Sequence, residues 1–252
     1  MSDPNKCILK VKFVSEQTDD RLYFEYILQI SIIIPVLNEE DSLGQQLDWL
    51  YSWGEKAEII LADGGSTDGS SQVVAAFKEA RWLDCPQRGR AFQMNHAARL
   101  AKGDVLFFLH ADTRPPAQTL SYIRQSLADS EVFAGSFRIR FDHPHWFYRF
   151  CASLSKLNYS FSTYGDQGLF VRKKDFMEIG GFQEIPFLED VEIQYRLRKR
   201  GRFQKLPYDM YTSVRRFEAK GKYRQATLNL LLLLAYLLGF SPKRLKKWYP
   251  DS

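Results

Sequence analysis

Polar residues follow three apolar runs of the sequence, each with the length and composition of a buried strand. The first run is followed by Asn38 and Glu39, the second by Asp63 and Gly64, and the third by residues 110–112. In a parallel α/β sheet such strand ends lie at one edge, where ligands bind. Carboxylates at that edge can bind a hard divalent cation or accept hydrogen bonds from sugar hydroxyls and base N–H groups.

Arginines supply the opposite charge at two other places. Arg88 and Arg90 stand at the predicted start of a helix, where backbone N–H groups and guanidinium groups together suit a phosphate. The helix dipole otherwise disfavours arginine at this end, which favours a functional interpretation. Arg215 and Arg216 are adjacent in the sequence, and we expect them to close over a diphosphate.

Alternating strands and helices are predicted to position these groups. Apolar runs predict strands at residues 30–34, 58–62 and 105–109, and helical spacing predicts helices at residues 41–51, from Ser66 or Thr67 to about Ala80, at 89–101 and at 118–128. This alternation is typical of a parallel sheet with crossover helices, and near-continuous apolar strands indicate a sheet covered on both faces. The sequence therefore predicts a single α/β domain.

The ordered set of motifs resembles the inverting family 2 glycosyltransferases with the GT-A fold. It includes residues 34–40 (IPVLNEE), 62–69 (ADGGSTDG) and 109–112 (LHAD), and it extends along roughly residues 30–217. Residues 108–113 (FLHADT) also resemble a bacterial subgroup of selenodomain-associated transferases. The resemblance implies a GT-A-like α/β fold with a mostly parallel central sheet, helices on both faces and a C-terminal helical appendage.

A nucleotide-sugar donor site at the first two strand ends is implied by this resemblance. The family's matching aspartate contacts the base, so Asp63 receives that role, and the loop that includes Pro35, Asn38 and Glu39 corresponds to one that touches the nucleoside. Gly64 would let the backbone approach the ligand closely. Arg88 and Arg90 match the family's basic loop. From the residues alone, Asp63 also suits the capping of a turn or helix.

The resemblance further implies a divalent cation, Mn²⁺ or Mg²⁺, which neutralises the diphosphate leaving group. The family's metal motif is Asp-x-Asp, and here the three positions are His110, Ala111 and Asp112. Asp112 matches the metal-binding second acid. His110 replaces the first acid, and Ala111 lies with it in the predicted nucleotide site. We expect His110 to contact the ribose, the phosphate or the metal. As a metal ligand it would favour manganese. The structural alternative is that His110 satisfies a backbone carbonyl.

The acceptor side is assigned to later segments by the same resemblance. Gly165, Asp166 and Gln167 match the floor of the acceptor site. An inverting displacement needs a carboxylate behind the acceptor hydroxyl as general base. The family places this base in a Glu-Asp pair at a helix start, so Asp190 is the predicted base and Glu189 the supporting acid. Stabilisation of a helix N-terminus by these acids is the structural alternative.

Charge is unevenly distributed along the chain. The residues from Arg196 onwards include 15 of the 35 Lys and Arg but 3 of the 30 Asp and Glu. Such a tail indicates an anionic partner or a solvated face. Its apolar run, residues 230–240, is shorter than the roughly 20 residues of a membrane-spanning helix. We expect a helix that packs on the domain or on a second subunit, or that lies in a membrane interface.

These observations predict an N-terminal extension at residues 1–28, a transferase domain at 29–217 and a basic, leucine-rich segment at 218–252. Three scattered cysteines indicate neither a disulfide framework nor a zinc site, and the N-terminus has no secretory apolar run. A cytoplasmic protein, with peripheral contact at the inner face of a membrane as a further option, is therefore predicted. Residues 138–162, which are rich in aromatic side chains, are expected to form variable loops beside the acceptor.

Other function classes fit less well than transfer of a sugar from a nucleotide-diphosphate donor to an unidentified hydroxyl acceptor. A nucleotidyltransferase would need a glycine-rich, basic loop after the first strand, whereas residues 35–40 are acidic. A binding protein without catalysis is disfavoured by the presence of Asp112, Glu189 and Asp190. Nucleic-acid binding is disfavoured because no nucleic-acid module is recognisable.

Overall fold

The protein is described by a computed structural model that covers residues 10–11, 24–25, 27–163 and 165–248. Two short antiparallel strands, β1 (Lys10–Val11) and β2 (Phe24–Glu25), precede the main sheet. Most of the predicted N-terminal extension lies outside the described residues.

Eight further strands in the described residues form one sheet, and ten helices surround it. The strands are β3 (Ile30–Val36), β4 (Glu58–Asp63), β5 (Ala80–Asp84), β6 (Val105–Phe108), β7 (Thr113–Arg114), β8 (Val132–Phe141), β9 (Leu169–Arg172) and β10 (Arg202–Thr212). The helices are α1 (Glu40–Tyr51), α2 (Ser70–Ala75), α3 (Arg90–Leu100), α4 (Thr119–Ala128), α5 (Trp146–Leu154), α6 (Lys173–Glu178), α7 (Glu189–Arg200), α8 (Arg215–Lys220), α9 (Lys222–Leu237) and α10 (Pro242–Leu245).

The strand order is β5-β4-β3-β6-β9-β8-β10-β7. Strands β5, β4, β3 and β6 run parallel, and β8 and β10 are parallel to each other. Strand β9 is antiparallel to both of its neighbours, and β7 pairs antiparallel with β10 at the edge. The predicted α/β fold class is confirmed, with a mixed sheet in which parallel pairings outnumber antiparallel ones.

Both faces of the sheet are buried, which explains why the central strands are apolar at successive positions. Along β3, Ile32 and Ile34 belong to one core cluster together with Leu47 of α1. The intervening Ile33 belongs to a second cluster, together with Ala97 of α3. Helices therefore cover opposite faces of the sheet, and the carboxyl ends of β3, β4 and β6 remain open to solvent and ligand.

Two predictions about local structure are wrong. The helix predicted from Ser66 or Thr67 to about Ala80 spans only Ser70–Ala75. At its start the side chain of Asp68 accepts a hydrogen bond from the backbone N–H of Ser70, and after its end the chain turns, with the N–H of Ala80 donating to the carbonyl of Phe77. The chain then forms edge strand β5, whose partly exposed residues give no clear periodicity. Residues 138–162 are not a loop region, since they include the end of β8, all of α5 and a 3-10 turn.

The apolar run of the tail is helical, as predicted, over residues 230–237, which form the second half of α9. Leu232 and Leu233 are buried, and Leu232 packs in a small cluster with Phe187 and Leu245. This cluster attaches the C-terminal segment next to the start of α7. Among the described residues, no helix has the length and hydropathy required to cross a membrane.

Candidate active site

The loops that follow β3 and β4 are bound to each other at the carboxyl edge of the sheet. The backbone N–H of Asn38 donates to Ser66 Oγ (2.9 Å), and the N–H of Thr67 donates to Asn38 Oδ1 (2.8 Å). The N–H of Glu39 donates to Ser70 Oγ (3.0 Å). Asn38 adopts a left-handed conformation with φ of 54°, which asparagine tolerates better than most residues. This side of the site is therefore built before any ligand binds.

Asp63 ends β4, and its side chain is almost completely buried. Its carboxylate accepts hydrogen bonds from the backbone N–H of Gly65 (3.0 Å), from the N–H of Ser66 (3.0 Å) and from Ser66 Oγ (2.6 Å). The structure thus shows the turn-capping interaction that the sequence left open. Contact between Asp63 and a base stays a prediction.

Position 64 must be glycine because the side chain of Gln93 packs against it. The amide of Gln93, on α3, donates to the carbonyl oxygens of Val36 (2.8 Å) and Ala62 (2.7 Å). A Cβ atom on Gly64 would lie 2.9 Å from this amide. Gln93, which joins β3 and β4 to α3, thus occupies the space that a side chain at position 64 would need, and close approach of a ligand to the Gly64 backbone stays a prediction.

A cleft of about 710 Å³ opens between this edge of the sheet, the start of α3 and the C-terminal segment. Its volume lies in the usual range for small-ligand sites. Its lining includes five of the predicted site residues, namely Pro35, Glu39, Arg88, Arg90 and Glu189. Lys243 and Lys246 also line it, so a largely basic wall faces the polar strand ends. Such a wall suits the charge of a diphosphate.

Arg90 connects the donor cleft to the predicted catalytic acids. It is the first residue of α3, and its Nε donates to Glu189 in a close ion pair. Arg90 Nη1 lies 3.4 Å from Nε2 of His110. Glu189 is buried, and its charge is therefore balanced by this arginine. In this structure Arg90 contacts protein groups, and direct phosphate contact by Arg90 remains a prediction.

Asp190 stands at the meeting point of β6, α7 and the turn Gly165–Gln167. Its Oδ2 accepts a hydrogen bond from the backbone N–H of Gly165 (2.6 Å). A Cβ atom on Gly165 would lie 2.6 Å from Nε2 of His110, so only glycine fits between these side chains. Leu188, just before the acid pair, is left-handed with φ of 62°, a strained conformation that clusters at functional sites.

The environment of Asp190 favours proton uptake. Burial and, to a smaller extent, the neighbouring charge of Glu189 raise the pKa of its carboxyl to about 6. Arg90 and the Gly165 N–H oppose this rise in pKa. A carboxylate with a pKa near 6 is ionised at neutral pH, yet it is more basic than an exposed aspartate, which suits a general base.

A second carboxylate, Asp166, lies in the same part of the site. Burial is the main cause that raises its pKa to about 7, and the negative charges of Asp112 and Asp190 raise it to a smaller extent. Its Oδ1 is buried and has no hydrogen-bond partner among the described residues. Asp112 is half-buried, and Thr113 Oγ1 lies 3.5 Å from its Oδ1. These neighbouring negative charges provide a place where a cation would be stabilised.

Within the described part of the chain, no three His, Cys, Asp or Glu side chains form a metal cluster. The carboxylates of Asp112 and Asp166 nevertheless fit a divalent cation that completes its shell with ligand and water oxygens, because these ions prefer oxygen ligands and keep several from outside the protein. The unpartnered oxygen of Asp166 supports this fit. His110 faces Arg90 and Gly165.

Lys205, on β10, was missed by the sequence interpretation. Its Nζ donates to Thr163 Oγ1 (2.8 Å) and to the side-chain oxygen of Gln167. Burial and, to a smaller extent, the charge of nearby Arg198 lower the pKa of Lys205 to about 7. Lys205 thus supports the turn that carries Asp166. A lysine in the middle of a strand was the available signal, but nothing in the sequence connected it to this turn.

The remaining predicted residues are placed as follows. Arg215, at the start of α8, donates from Nη2 to Glu39 Oε2 (3.0 Å), so it reaches the donor loop. The side chain of Ala111 is buried in the larger core cluster, which leaves its backbone for ligand contact. Gln167 is buried and donates to the carbonyl of Ser162 (2.8 Å). The side chain of Arg216 lies outside the described residues.

Residues 31–182, more than half of the chain, match the sequence model of glycosyl transferase family 2. The chain belongs to this family. The matched residues include the predicted donor residues from Pro35 to Ala111, the predicted metal ligand Asp112 and the turn Gly165–Gln167. Glu189 and Asp190 lie beyond the match, so their placement in this family 2 member rests on the geometry above.

Curated relatives match this family 2 chain over limited segments. The undecaprenyl-phosphate 4-deoxy-4-formamido-L-arabinose transferase of Edwardsiella ictaluri (strain 93-146) is 29% identical over 126 residues, which cover 46% of this chain and 38% of that protein. The lipopolysaccharide core biosynthesis glycosyltransferase LpsC of Rhizobium meliloti (strain 1021) is 32% identical over 112 residues, which cover 43% of this chain and 40% of that protein. The matches therefore span about two fifths of these relatives.

Solved structures show the same fold. The mannosyltransferase PcManGT from Pyrobaculum calidifontis, in complex with GDP-Man and Mn²⁺, superposes with a TM-score of 0.69 at 23% identity, over 88% of this chain and 68% of that one. Glucosyl-3-phosphoglycerate synthase from Mycobacterium tuberculosis, in complex with Mn²⁺, UDP and glucosyl-3-phosphoglycerate, gives a TM-score of 0.59 at 16% identity. The superposition covers 82% of this chain and 80% of that one.

Proposed function

We propose that the chain transfers a sugar from a nucleotide-diphosphate donor to a hydroxyl acceptor, with inversion at the anomeric carbon and with a divalent cation. One observation carries this proposal. A basic cleft of donor size adjoins the buried carboxylate of Asp190, which is ionised at neutral pH and more basic than usual. Family membership and neighbours that bind GDP-Man or UDP with Mn²⁺ support the same reaction.

The donor would bind between the two fixed loops and the basic wall. We propose that Asp63, Asn38 and Glu39 recognise the nucleoside. Of these, Glu39 lines the cleft, as does Arg88 just before the start of α3. Arg215, which is half-exposed and paired with Glu39, can exchange this partner for a phosphate. A surface pair of this kind contributes about 0–1 kcal/mol, so the exchange costs little.

Asp112 and Asp166 are the residues proposed to hold the cation. When bound, the cation supplies a positive charge that stabilises the leaving diphosphate. It would also offset the repulsion between these carboxylates, and Asp166 would then lose its proton more readily. His110, beside Arg90 and Gly165, is proposed to orient the phosphates from the other side.

Asp190 is proposed to take the proton of the acceptor hydroxyl as the oxygen attacks the anomeric carbon. The Gly165 N–H fixes the orientation of its Oδ2, and each carboxylate oxygen retains a lone pair for the acceptor. Glu189 acts as a positioning residue. Its ion pair with Arg90 ties α7 to α3, and its negative charge raises the basicity of Asp190.

A donor screen tests this function. Release of free nucleotide is measured for a panel of UDP-, GDP- and dTDP-sugars, with Mn²⁺, with Mg²⁺ and with excess chelator. We expect metal-dependent release from a subset of donors, and a product of inverted anomeric configuration by NMR once an acceptor is found. Donor binding without any turnover in the presence of metal and varied acceptors would instead favour a binding protein.

A further inference from the structure

Helix α9 leaves one of its faces in solvent. While Leu232 and Leu233 are buried against the domain, five other leucines of this segment are exposed. They recur at helical spacing over two turns and are Leu230, Leu231, Leu234, Leu237 and Leu238, the last with 78% of its surface exposed. Packing on the domain therefore buries only part of the apolar run. The five exposed leucines form an apolar stripe of the kind that marks an interaction site.

Helix α5 carries a second exposed stripe next to the first. Trp146, Phe150 and Leu154 are exposed and four residues apart, so they lie on one face of the helix. The other side of α5 packs against α9, since the rings of Phe147 and Tyr223 have centroids 5.1 Å apart. We call the eight exposed side chains of these two stripes the α5–α9 surface.

Basic residues outnumber acidic ones around the α5–α9 surface, although Glu218, which accepts a hydrogen bond from Tyr148 of α5, is an acidic neighbour. Residues 143–165 and 219–250, which contain the two stripes, include nine Lys and Arg and no Asp or Glu. Arg149, Arg224 and Arg244 are among the exposed members of this set. An apolar face with basic residues around it is typical of helices that lie in the plane of a membrane interface.

We propose that the α5–α9 surface docks on a membrane that contains anionic lipids, with α9 lying in the interface. A second copy of the chain fits less well. A symmetric dimer brings the same patch of both subunits together, so basic residues would face basic residues. Anionic headgroups instead attract each nearby Lys or Arg while the leucines and aromatic rings enter the acyl boundary.

Docking in this way would bring the cleft close to the membrane. Lys243 and Lys246 line the cleft, and they belong to the same C-terminal segment as α9. The buried side of α9 packs on Phe187, two residues before Glu189. Membrane attachment can be measured without donor, metal or acceptor, so its outcome is separate from that of the proposed reaction.

Vesicle flotation of the full chain tests the proposal. We expect the protein to float with vesicles that contain about 30% phosphatidylglycerol and not with pure phosphatidylcholine, and to be released at about 0.5 M NaCl because screening weakens the attraction. The paired variants Leu230→Gln/Leu234→Gln and Phe150→Gln/Leu154→Gln should each lower the partition coefficient roughly tenfold or more.

A matched control replaces exposed apolar residues on other helices. Leu100→Gln/Met177→Gln, on α3 and α6, should float like the wild type, and circular dichroism should show all variants folded. Absence of flotation with anionic vesicles would overturn the proposal. A second outcome would also overturn it: light scattering shows a dimer that does not bind vesicles, and the variant Leu230→Gln/Leu234→Gln is monomeric. The stripe would then bind a second copy of the chain.

Discussion

The donor side and the acceptor side of the candidate site differ in how completely they are built. On the donor side, Asn38, Asp63 and Ser66 satisfy one another through hydrogen bonds of 2.6–3.0 Å. On the acceptor side, Asp166 has an unpartnered buried oxygen, and both Asp166 and Asp190 have raised pKa values. The first region is preorganised, whereas the second contains buried carboxylates whose mutual repulsion is only partly offset by Arg90 and Lys205.

This difference separates two roles that one edge of the sheet combines. Preorganised loops bind a ligand without first paying a conformational cost. Buried carboxylates that repel one another store unfavourable energy until a cation or a substrate proton relieves it. Substitutions on the acceptor side should therefore change catalysis, cation binding and the pH dependence of stability, whereas substitutions on the donor side should change mainly the stability itself.

The largest effect is expected from Asp190→Asn. The amide keeps the size of the side chain but cannot take the acceptor proton, so transfer should fall by about 10²–10⁴-fold while nucleotide affinity stays nearly constant. Steady-state rates and nucleotide titrations measure the two quantities. Asp48→Asn, an exposed carboxylate of α1, is the control. A large loss of nucleotide affinity with a modest loss of rate would assign Asp190 to structure.

Removal of the proposed cation should have an effect of similar size. Asp112→Ala and excess chelator should each abolish measurable donor turnover, because the leaving diphosphate then lacks its counter-charge. The far-ultraviolet circular dichroism of Asp112→Ala should match that of the wild type. Turnover at the full rate in excess chelator would contradict the metal assignment.

His110→Asp is expected to keep measurable turnover, since it introduces the acid that the resemblance implies at this position. The carboxylate should also shift the preference from Mn²⁺ towards Mg²⁺, the harder ion. Turnover rates with each cation measure this shift. An unfolded variant would indicate that His110 serves packing against Gly165 and Arg90.

The pH dependence of stability should report on Asp166. Its carboxyl is half-protonated at about pH 7 in the folded chain and near pH 4 in an unfolded one. Its contribution to stability is thus complete below about pH 4 and is lost as the pH rises towards 7. In metal-free buffer, Asp166→Asn should raise the free energy of unfolding at pH 8 by about 1–3 kcal/mol and change it little at pH 4.

Urea titrations at the two pH values measure this difference, with Asp48→Asn as the matched variant. Mn²⁺ should stabilise the wild type at pH 8 and should stabilise Asp166→Asn less. Equal unfolding energies for Asp166→Asn and wild type at pH 8 would show that the carboxyl is not buried beside other charges.

The smallest effect is expected on the donor side, from Ser66→Ala. This change removes the hydroxyl that donates to Asp63 and accepts from the Asn38 N–H. The free energy of unfolding should fall by about 1–2 kcal/mol, as for other partly buried hydrogen bonds. Ser71→Ala, on the exposed side of α2, should have little effect. Loss of catalysis without loss of stability would mean that Ser66 contacts the donor.

The sequence predicted the strands that carry the site because their burial on both faces leaves a continuous apolar signal. It did not predict β5, β7, β8, β10 or the antiparallel β9, which is inserted between β6 and β8. Edge strands are weakly patterned, and strand order depends on long-range pairing. The acids at the strand and helix ends were predicted from their positions after apolar runs and from the resemblance to the family. Gln93 and Lys205 were missed because their site contacts come from distant elements.

Calorimetric titration of nucleoside diphosphates tests the central claim most directly. Wild type should bind UDP or GDP in the presence of Mn²⁺, with affinity reduced about tenfold or more by chelator or by Asp112→Ala, the usual scale for loss of a ligand or its support in a metal site. Asp190→Asn should bind as the wild type does. Absence of binding to any nucleotide, or equal binding in all four cases, would contradict the assignment of a metal-assisted donor site.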